Sequence, residues 1–365
     1  MRTMKRAVLG GALALAALGA AAGPAAAAGK NAVYTESNSA SGNRILVFDR
    51  AGNGSLRPAG SVPTGDLGTG SGLGSQGALA LTRGGQYLYA VNAGSDSISS
   101  FAVGPRGLRF TGTAPSGGDQ PISLTTRRGL LYALNAGNGT ISGFRIAHDG
   151  SLSALPGSTA PIAGSGPAEI AFSTGGNVLA VTDKNTNTID TFTVGSNGLP
   201  GPALSQPSEG QTPFGFEFDK RGHLIVSEAF GGAPGASAVS SYSVGSDGAL
   251  STISASIPDN QGSACWISVT KNGRFAYTTN TGSGTISSYS VGHDGSLGLL
   301  QQVAAVTGAG SSPADMAQSE GGRALFALAP GSGSVGAFRV AGNGGLSPVD
   351  QVGGVPASAS GLAAR

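Results

Sequence analysis

Residues 77–103 read GALALTRGGQYLYAVNAGSDSISSFAV, and residues 264–291 read ACWISVTKNGRFAYTTNTGSGTISSYSV. Both stretches contain a short apolar segment, a turn with glycine, and a second segment that ends in asparagine. A Gly/Ser turn and the pattern I-S-x-F/Y-x-V follow in each. Short Val, Ile, Leu, Phe and Tyr segments between Gly, Asn, Asp and Ser turns are typical of antiparallel strands. The two stretches therefore describe one unit of short strands at two distant places in the chain.

The unit recurs seven times along the chain. Its third strand carries an aromatic residue that returns every 43 to 53 residues, at Phe48, Phe101, Phe144, Phe192, Tyr242, Tyr289 and Phe338. Seven units of about four strands at this period predict an all-β, seven-bladed β-propeller with four antiparallel strands per blade. Because a single blade cannot bury both of its faces, we expect the blades to pack around a central channel.

The two ends of the chain predict how the ring closes. The first copy begins at NAVYTES (31–37), which matches the second strand of the other copies. The C-terminal GVPASASGLAAR (354–365) matches the Pro-led first strand found at Pro121, Pro167, Pro213 and Pro313. We therefore predict that residues 356–364 pair beside residues 31–36 and complete blade 1. Closure of this kind hides sheet edges that could otherwise pair with other chains.

The first 28 residues are typical of a secretory signal peptide. Arg2, Lys5 and Arg6 precede an apolar run from Val8 to Ala22, and an A-x-A cleavage pattern occupies residues 26–28. The apolar run is shorter than the ~20 residues that span a bilayer. We predict a signal peptide over residues 1–28 and one propeller domain over residues 29–365. The mature protein is then secreted, with no membrane attachment after cleavage.

Composition limits the classes of function. Charged residues make up 11% of the chain and hydrophobic residues 39%, and no basic run suggests a nucleic-acid partner. The single Cys265 excludes an internal disulfide and any multi-cysteine metal site. All three histidines, His148, His223 and His293, fall in predicted turns. We therefore expect a monomer with no cofactor and no bound metal.

Polar residues collect where the channel mouth is predicted. The first strand of each blade starts, and the second ends, on the same side of the ring. The second strands end in Glu36, Asn92, Asn135, Asp183, Glu228 and Asn280, and the first strands start near Glu169, Phe214, Trp266 and Asp315. This set predicts a polar, partly acidic pocket for a hydroxylated or cationic small molecule. The alternative is that Asn and Asp only cap turns here.

Blade 5, TPFGFEFDKRGHLIVSEAFGGAPGASAVSSY (212–242), departs most from the repeat. It has five extra residues between Glu228 and Tyr242, and Glu217 stands where other copies have alanine or threonine. Loops that vary on a rigid scaffold often carry function.

The repeat resembles the seven-bladed propeller lactonase family, which includes bacterial 6-phosphogluconolactonase and the fungal carboxymuconate cyclase. The resemblance rests on G-x-Y-L-Y-A-V-N (85–92), I-S-x-F-x-V (98–103), the D-G-x-L turns and the Pro-led closing strand. SEAFGGAPGAS (227–237) is similar to an exported subgroup. The resemblance implies that Glu228 matches the family's catalytic glutamate. The family histidine falls near Ala168, and its two arginines fall near Phe214 and Thr281.

Two functions follow from these observations. In the first, the protein hydrolyses a lactone in the central channel, with Glu228 as the general base and Asn280 or backbone N–H groups holding the oxyanion. In the second, it is a non-catalytic secreted propeller that binds a small molecule, a glycan or a protein partner. The missing cationic groups favour the second function.

Overall fold

The computed structural model describes residues 31–365 as seven antiparallel sheets, one for each repeat. The predicted all-β, seven-bladed propeller is confirmed. The two helical segments among these residues are three-residue 3-10 turns, Phe230–Gly232 and Pro330–Ser332. None of the described helices is long and apolar enough to cross a membrane. The predicted signal peptide, residues 1–28, lies outside the described residues.

The strands of each blade are ordered from the channel outward. Blade 1 contains Ser360–Ala364, Ala32–Glu36, Arg44–Arg50 and Leu56–Pro63. Blade 2 contains Leu79–Leu81, Tyr87–Asn92, Ser97–Gly104 and Gly107–Pro115. Blade 3 contains Pro121–Arg127, Leu130–Asn135, Thr140–Ile146 and an outer strand in two pieces, Leu152–Ala154 and Ala160–Pro161. Blade 4 contains Pro167–Phe172, Val178–Asp183, Thr188–Thr193 and Leu204–Pro207.

The remaining blades follow the same order. Blade 5 contains Pro213–Phe218, Leu224–Glu228, Ala238–Val244 and Leu250–Pro258. Blade 6 contains Ala264–Val269, Phe275–Asn280, Thr285–Val291 and Leu297–Val306. Blade 7 contains Met316–Gln318, Ala324–Ala329, Ser334–Val340 and Leu346–Gly353.

The C-terminal strand closes the ring as predicted. Val33 pairs with Ala364, and Glu36 pairs with Ser360, so the last strand of the chain is the innermost strand of blade 1. Pairing begins at Ser360, because residues 356–359 form a turn rather than strand. Blade 1 is also tied to blade 7, since the Leu56 N–H donates to a carboxylate oxygen of Asp350 at 2.9 Å.

The core consists of apolar layers between neighbouring blades. Buried tyrosines on second strands add a hydrogen bond across three of these layers. Tyr89 donates to the Gly150 carbonyl at 2.9 Å, and Tyr132 donates to the Gly198 carbonyl at 2.6 Å. Each acceptor lies in the Asp-Gly or Asn-Gly turn of the next blade. The turn glycine therefore has two roles: it allows the tight hairpin turn, and its carbonyl accepts the hydrogen bond that joins the two blades.

Strand direction gives the ring two distinct faces. First strands begin and second strands end on the side that we call the upper face. First strands end on the opposite side, the lower face, where hairpins lead into the second strands. The channel runs between the two faces and is lined by the first strands.

Candidate functional site

The central channel is blocked by residues 72–77, which we call the plug. Gln76 carries most of its contacts: Nε2 donates to the Ile267 carbonyl at 3.0 Å and to the Phe216 carbonyl at 3.4 Å. The Gln76 side-chain oxygen accepts the Ile267 N–H at 3.0 Å. One glutamine thus satisfies backbone groups of blades 5 and 6 that face the channel.

The rest of the plug is held from other directions. Ser75 donates its hydroxyl to the Ile122 carbonyl of blade 3 at 2.8 Å, and its own carbonyl accepts the Trp266 indole N–H at 2.9 Å. The Gly77 N–H donates to Asp315 at 3.4 Å. Because these partners come from blades 3, 6 and 7, the plug separates the channel into an upper cavity and a lower one.

Three of the predicted binding residues, the asparagines at the ends of second strands, lie inside their blades. Asn92, Asn135 and Asn280 are fully buried. Each donates from Nδ2 to the serine seven residues later on the third strand, at distances of 2.8, 3.4 and 2.8 Å in blades 2, 3 and 6. We expected these side chains at an open channel mouth, but the structure turns them toward the third strand. A role in ligand binding stays a prediction for them.

Glu36 and Asp183 occupy the same position in blades 1 and 4, and both are fully buried. Glu36 accepts a hydrogen bond from Asn43 Nδ2 at 3.2 Å, and burial raises its carboxyl pKa well above the usual range. Neither carboxylate oxygen of Asp183 has a hydrogen-bond partner among the described residues. Burial, followed by the neighbouring Asp190, raises the pKa of Asp183 to about 8. Both side chains are enclosed by their own blades rather than exposed in the channel.

Glu228 is likewise fully buried. We expected its side chain to face an open channel mouth, and it does not. The Gly210 N–H donates to it at 2.8 Å, and the hydroxyls of Ser240 and Ser256 also donate to its carboxylate. Burial raises the pKa of Glu228, and these hydrogen bonds partly oppose that rise. The contacts tie blade 5 to the connection that enters it. Catalysis by Glu228 stays a prediction.

The upper cavity contains two of the predicted residues that start first strands. Trp266 and Asp315 line a volume of about 390 Å³ between the plug and blades 6, 7 and 1. Phe214 packs on Trp266 with ring centroids 5.0 Å apart, and Lys184 Nζ lies 4.7 Å from the Phe214 ring centre. Burial raises the pKa of Asp315 to about 8. The cavity therefore has one aromatic wall and one carboxyl group.

The lower cavity, which we call the lower chamber, contains two more acidic residues. It has a volume of about 400 Å³, opens at the lower face, and is lined by Glu169 and Glu217 together with Lys271 and Arg127. Glu169 Oε2 accepts the Phe216 N–H at 2.6 Å, and Glu217 Oε2 accepts the Val269 N–H at 2.7 Å. The second oxygen of each carboxyl group accepts no hydrogen bond from residues 31–365.

The two carboxyl groups of the lower chamber have raised pKa values. Burial raises the pKa of Glu169 well above its usual range, and Asp315 and Glu217 add to that rise. Burial also raises the pKa of Glu217, and the nearby Lys271 opposes the rise. The chamber therefore offers carboxyl oxygens deep inside and cations at its rim.

Several residues of the channel were not singled out by the sequence analysis. Gln76, Gln318 and Lys271 line the lower chamber, and Gln318 Nε2 donates to Ser268 at 2.9 Å. Gln318 and Lys271 could have been found, because they lie at or just after the end of a first strand. Gln76 gave no such signal, since it stands outside the repeat.

The described residues contain no group of three or more His, Cys, Asp or Glu side chains that could hold a metal ion. What they do provide is a plugged seven-bladed propeller with an acidic cavity on each side of the plug. The lactonase family model described as a seven-bladed β-propeller matches residues 41–159, 150–231 and 227–358. The chain belongs to this family.

Solved structures of the same shape are distant in sequence. One is a putative 6-phosphogluconolactonase from Bacteroides fragilis, with 19% identity, a TM-score of 0.69, and coverage of 92% of this chain and 98% of that one. Another is a Lactobacillus plantarum protein, with 20% identity, a TM-score of 0.71, and coverage of 92% and 99%. The Pseudomonas aeruginosa periplasmic gluconolactonase has 18% identity, a TM-score of 0.68, and coverage of 91% and 98%. No curated protein matches the chain. At these identities the structures show a common fold.

Proposed function

We propose that the protein is an exported ligand-binding propeller whose lower chamber receives a small polyhydroxylated molecule. The observation that carries this proposal is the pair Glu169 and Glu217, each with one carboxyl oxygen left unbonded by the described residues inside a cavity of about 400 Å³. That size lies within the range of small-molecule sites. Carboxyl oxygens that face an open cavity without a protein partner can bind water or the hydroxyl groups of a ligand.

The surrounding groups favour a sugar-like or sugar-acid ligand. Hydroxyl groups can both donate to and accept from the two carboxyl groups, whatever their protonation state. Phe218 and Leu81, both half-buried, provide apolar walls against which a sugar ring can pack. A negative group on the ligand would lie toward Lys271 and Arg127 at the rim.

Isothermal titration of the mature protein with sugars, polyols and sugar acids tests this proposal. Glu217→Gln keeps the shape of the side chain and should weaken binding of any ligand found by about tenfold, because a ligand hydroxyl loses one acceptor. Glu209→Gln, at an exposed glutamate of the upper face, is the matched control and should bind normally. A ligand that binds both variants and the native protein equally would place the site elsewhere.

Hydrolysis of a lactone is the second candidate, and membership of the lactonase family favours it. In this case the substrate lies on the upper face beside blade 5, outside the upper cavity, and Glu228, with its raised pKa, accepts a proton from the attacking water. The hydroxyls of Ser240 and Ser256 would have to move, because they now cover the carboxylate.

Acid release from a panel of neutral and acidic lactones tests the hydrolase. Glu228→Gln should lower turnover of any substrate about 100-fold or more while the fold persists. Full turnover by this variant would show that Glu228 is not the general base. If the native protein hydrolyses no lactone of the panel, the hydrolase proposal is wrong. Neither result bears on binding in the lower chamber.

The proposal includes the location of the protein outside the cytoplasm. A signal peptide over residues 1–28 would place the mature chain outside the cytoplasm. Expression of the full chain followed by N-terminal sequencing of the extracellular fraction should find Gly29 as the first residue. Recovery of the intact N-terminus inside the cell would contradict export.

A further inference from the structure

The lower face of the ring carries most of the exposed cations. The hairpins between first and second strands lie on this face, and they carry Arg83, Arg127, Arg128, Lys220, Arg221, Lys271, Arg274 and Arg323. One exposed acid, Glu320, lies on the same hairpins, and the turns between third and fourth strands on this face add exposed Asp149, Asp247 and Asp294. Ion pairs within residues 31–365 are confined to Asp219, which contacts Arg221 and His223. The remaining cations therefore have no ion-pair partner in the described chain.

The upper face has the opposite charge. Its hairpins and connections carry exposed Asp96, Asp119 and Glu209, and its cations are exposed Arg44 and half-buried Lys184. The chain as a whole has 21 basic and 19 acidic residues. This near balance conceals a separation of charge across the ring, which steers charged partners toward one face.

Arginines line a groove on the lower face between blades 2 and 3. The groove has a volume of about 490 Å³, and Arg83, Arg127 and Arg128 lie along it with Thr82 and Gln86. Burial lowers the pKa of Arg127, and the charges of Arg83 and Arg128 lower it further. Like charges crowded in a groove are relieved when an anion binds between them.

A second groove with the same character lies between blades 7 and 1. Its volume is about 660 Å³, and its cations are Arg50, Arg323 and Arg339. Between the two grooves lies the mouth of the lower chamber, whose rim includes Arg127 and Lys271. One face thus presents three openings, each bordered by cations.

We propose that the lower face binds a flexible polyanionic polysaccharide whose negative groups enter the two arginine grooves. Guanidinium groups pair with carboxylate and phosphate oxygens in two-pronged fashion, so uronate and phosphodiester units satisfy the same chemistry. Several separated cation sites favour a polymer over a single small anion, because linked groups bind with a raised effective concentration.

The surface chemistry favours a polysaccharide over a membrane or a nucleic acid. The large apolar residues that are exposed lie on outer strands or on the upper connection at Leu67, and none lies on the lower hairpins. A membrane-inserting surface needs such residues. Single-stranded nucleic acids bind on exposed aromatic rings, whereas Tyr87 in the first groove is half-buried and donates to the His148 carbonyl.

This inference is independent of a ligand in the lower chamber, and binding to purified polymers tests it. The probes are polygalacturonate for carboxylates and poly(glycerol phosphate) for phosphodiesters, each measured by biolayer interferometry at low and high salt. Comparing the two probes decides which source of negative charge the face prefers. Binding to the native protein should weaken steeply with salt.

Charge reversal supplies the decisive comparison. The triple variant Arg83→Glu, Arg128→Glu, Arg323→Glu changes exposed side chains in both grooves and should weaken binding by about tenfold or more. Arg44→Glu reverses one exposed charge at the start of a third strand, on the upper face, and should change binding less than twofold. Should the triple variant unfold, the single changes Arg83→Glu and Arg323→Glu replace it, each with a smaller loss.

Three results would overturn the proposal. One is equal binding by the triple variant and the native protein, and another is an equal loss in Arg44→Glu. The third is tighter binding to anionic lipid vesicles or single-stranded DNA than to either polysaccharide. Loss of binding confined to the lower-face variants supports it.

Discussion

Replacing Asp183 by asparagine should stabilise the protein, and the gain should grow with pH. Asp183 is fully buried, and neither of its oxygens receives a hydrogen bond from the described residues. Its neighbour Asp190 accepts the Gly164 N–H at 3.2 Å through Oδ2, while Asp190 Oδ1 has no partner among residues 31–365. Blade 2 has Asn92 and Ser99 at the matching positions, joined by a hydrogen bond of 2.8 Å. An amide in blade 4 could donate to Asp190 Oδ1 in the same way.

The size of the effect follows from the raised pKa. Burial and Asp190 raise the pKa of Asp183 to about 8, from its ordinary value of 3.8. The folded state therefore holds a proton between about pH 4 and 8 that the unfolded state releases, so stability falls as pH rises through this window. Each pKa unit is worth about 1.4 kcal/mol. At pH 7 the aspartate should cost about 2 to 4 kcal/mol relative to Asp183→Asn, and near pH 4 the two proteins should be almost equally stable.

Urea denaturation followed by the fluorescence of Trp266, the single tryptophan of the chain, measures this difference. Native protein and Asp183→Asn are compared at pH 4.5, 6, 7 and 8. Asp247→Asn is the matched control, because Asp247 is exposed in a hairpin turn where blade 4 already has Asn197. The control should show no pH-dependent gain.

Two results would refute the reasoning. If Asp183→Asn changes the free energy of unfolding by the same amount at every pH, the carboxyl group does not titrate in this window. If the variant is less stable than the native protein at pH 8, then Asp183 is ionised and held by a favourable contact. Either outcome would also mean that the asparagine found at this position in blades 2, 3 and 6 cannot replace the aspartate of blade 4.

Three further changes test the ring, the plug and a contact between blades. Truncation after Gly354 removes the innermost strand of blade 1, including buried residues such as Leu362. This loss of several kcal/mol should abolish cooperative thermal unfolding. A truncated protein that melts like the full chain would refute closure of the ring by the C-terminal strand. Gln76→Ala leaves backbone groups of blades 5 and 6 unpaired in the channel. It should lower the free energy of unfolding, measured by chemical denaturation, by about 2 to 3 kcal/mol. An unchanged denaturation midpoint would mean that water replaces the side chain. Gly150→Ala should lower the free energy of unfolding by more than about 2 kcal/mol, because residue 150 has φ of +86° and a Cβ there would overlap the ring of Tyr87. Normal thermal stability would show that blades 2 and 3 can separate locally.

The ring itself could be predicted from the sequence because its information is local and repeated. Alternating apolar residues, turn glycines and the aromatic residue of the third strand recur in every unit. The partner of each strand follows from the hairpins. Even the closing strand, the longest-range pairing of the fold, was visible, since a second-strand match at residue 31 requires a first strand from elsewhere.

Part of the candidate site could also have been predicted from the repeat. The asparagines that end second strands are followed by serine seven residues later in blades 2, 3 and 6, a spacing that indicates a contact across the hairpin. We expected these asparagines at the channel mouth because strand ends there face the same side of the ring. Side-chain direction depends on the pleat and on which neighbour accepts the amide, and the third strand is nearer than the channel.

The plug and the separation of charge were decided by the tertiary structure. Gln76 contacts Ile267 across 191 positions of sequence, and no periodicity in the chain encodes a contact with blades on the far side of a channel. The cations of the lower face are scattered singly through the sequence, one or two to a hairpin, so they form no basic run. They become one surface because a propeller superimposes the same hairpin of every blade on one side of the ring. The sequence by itself determined the repeated unit, whereas the position of each hairpin around a common axis determined which side chains act together.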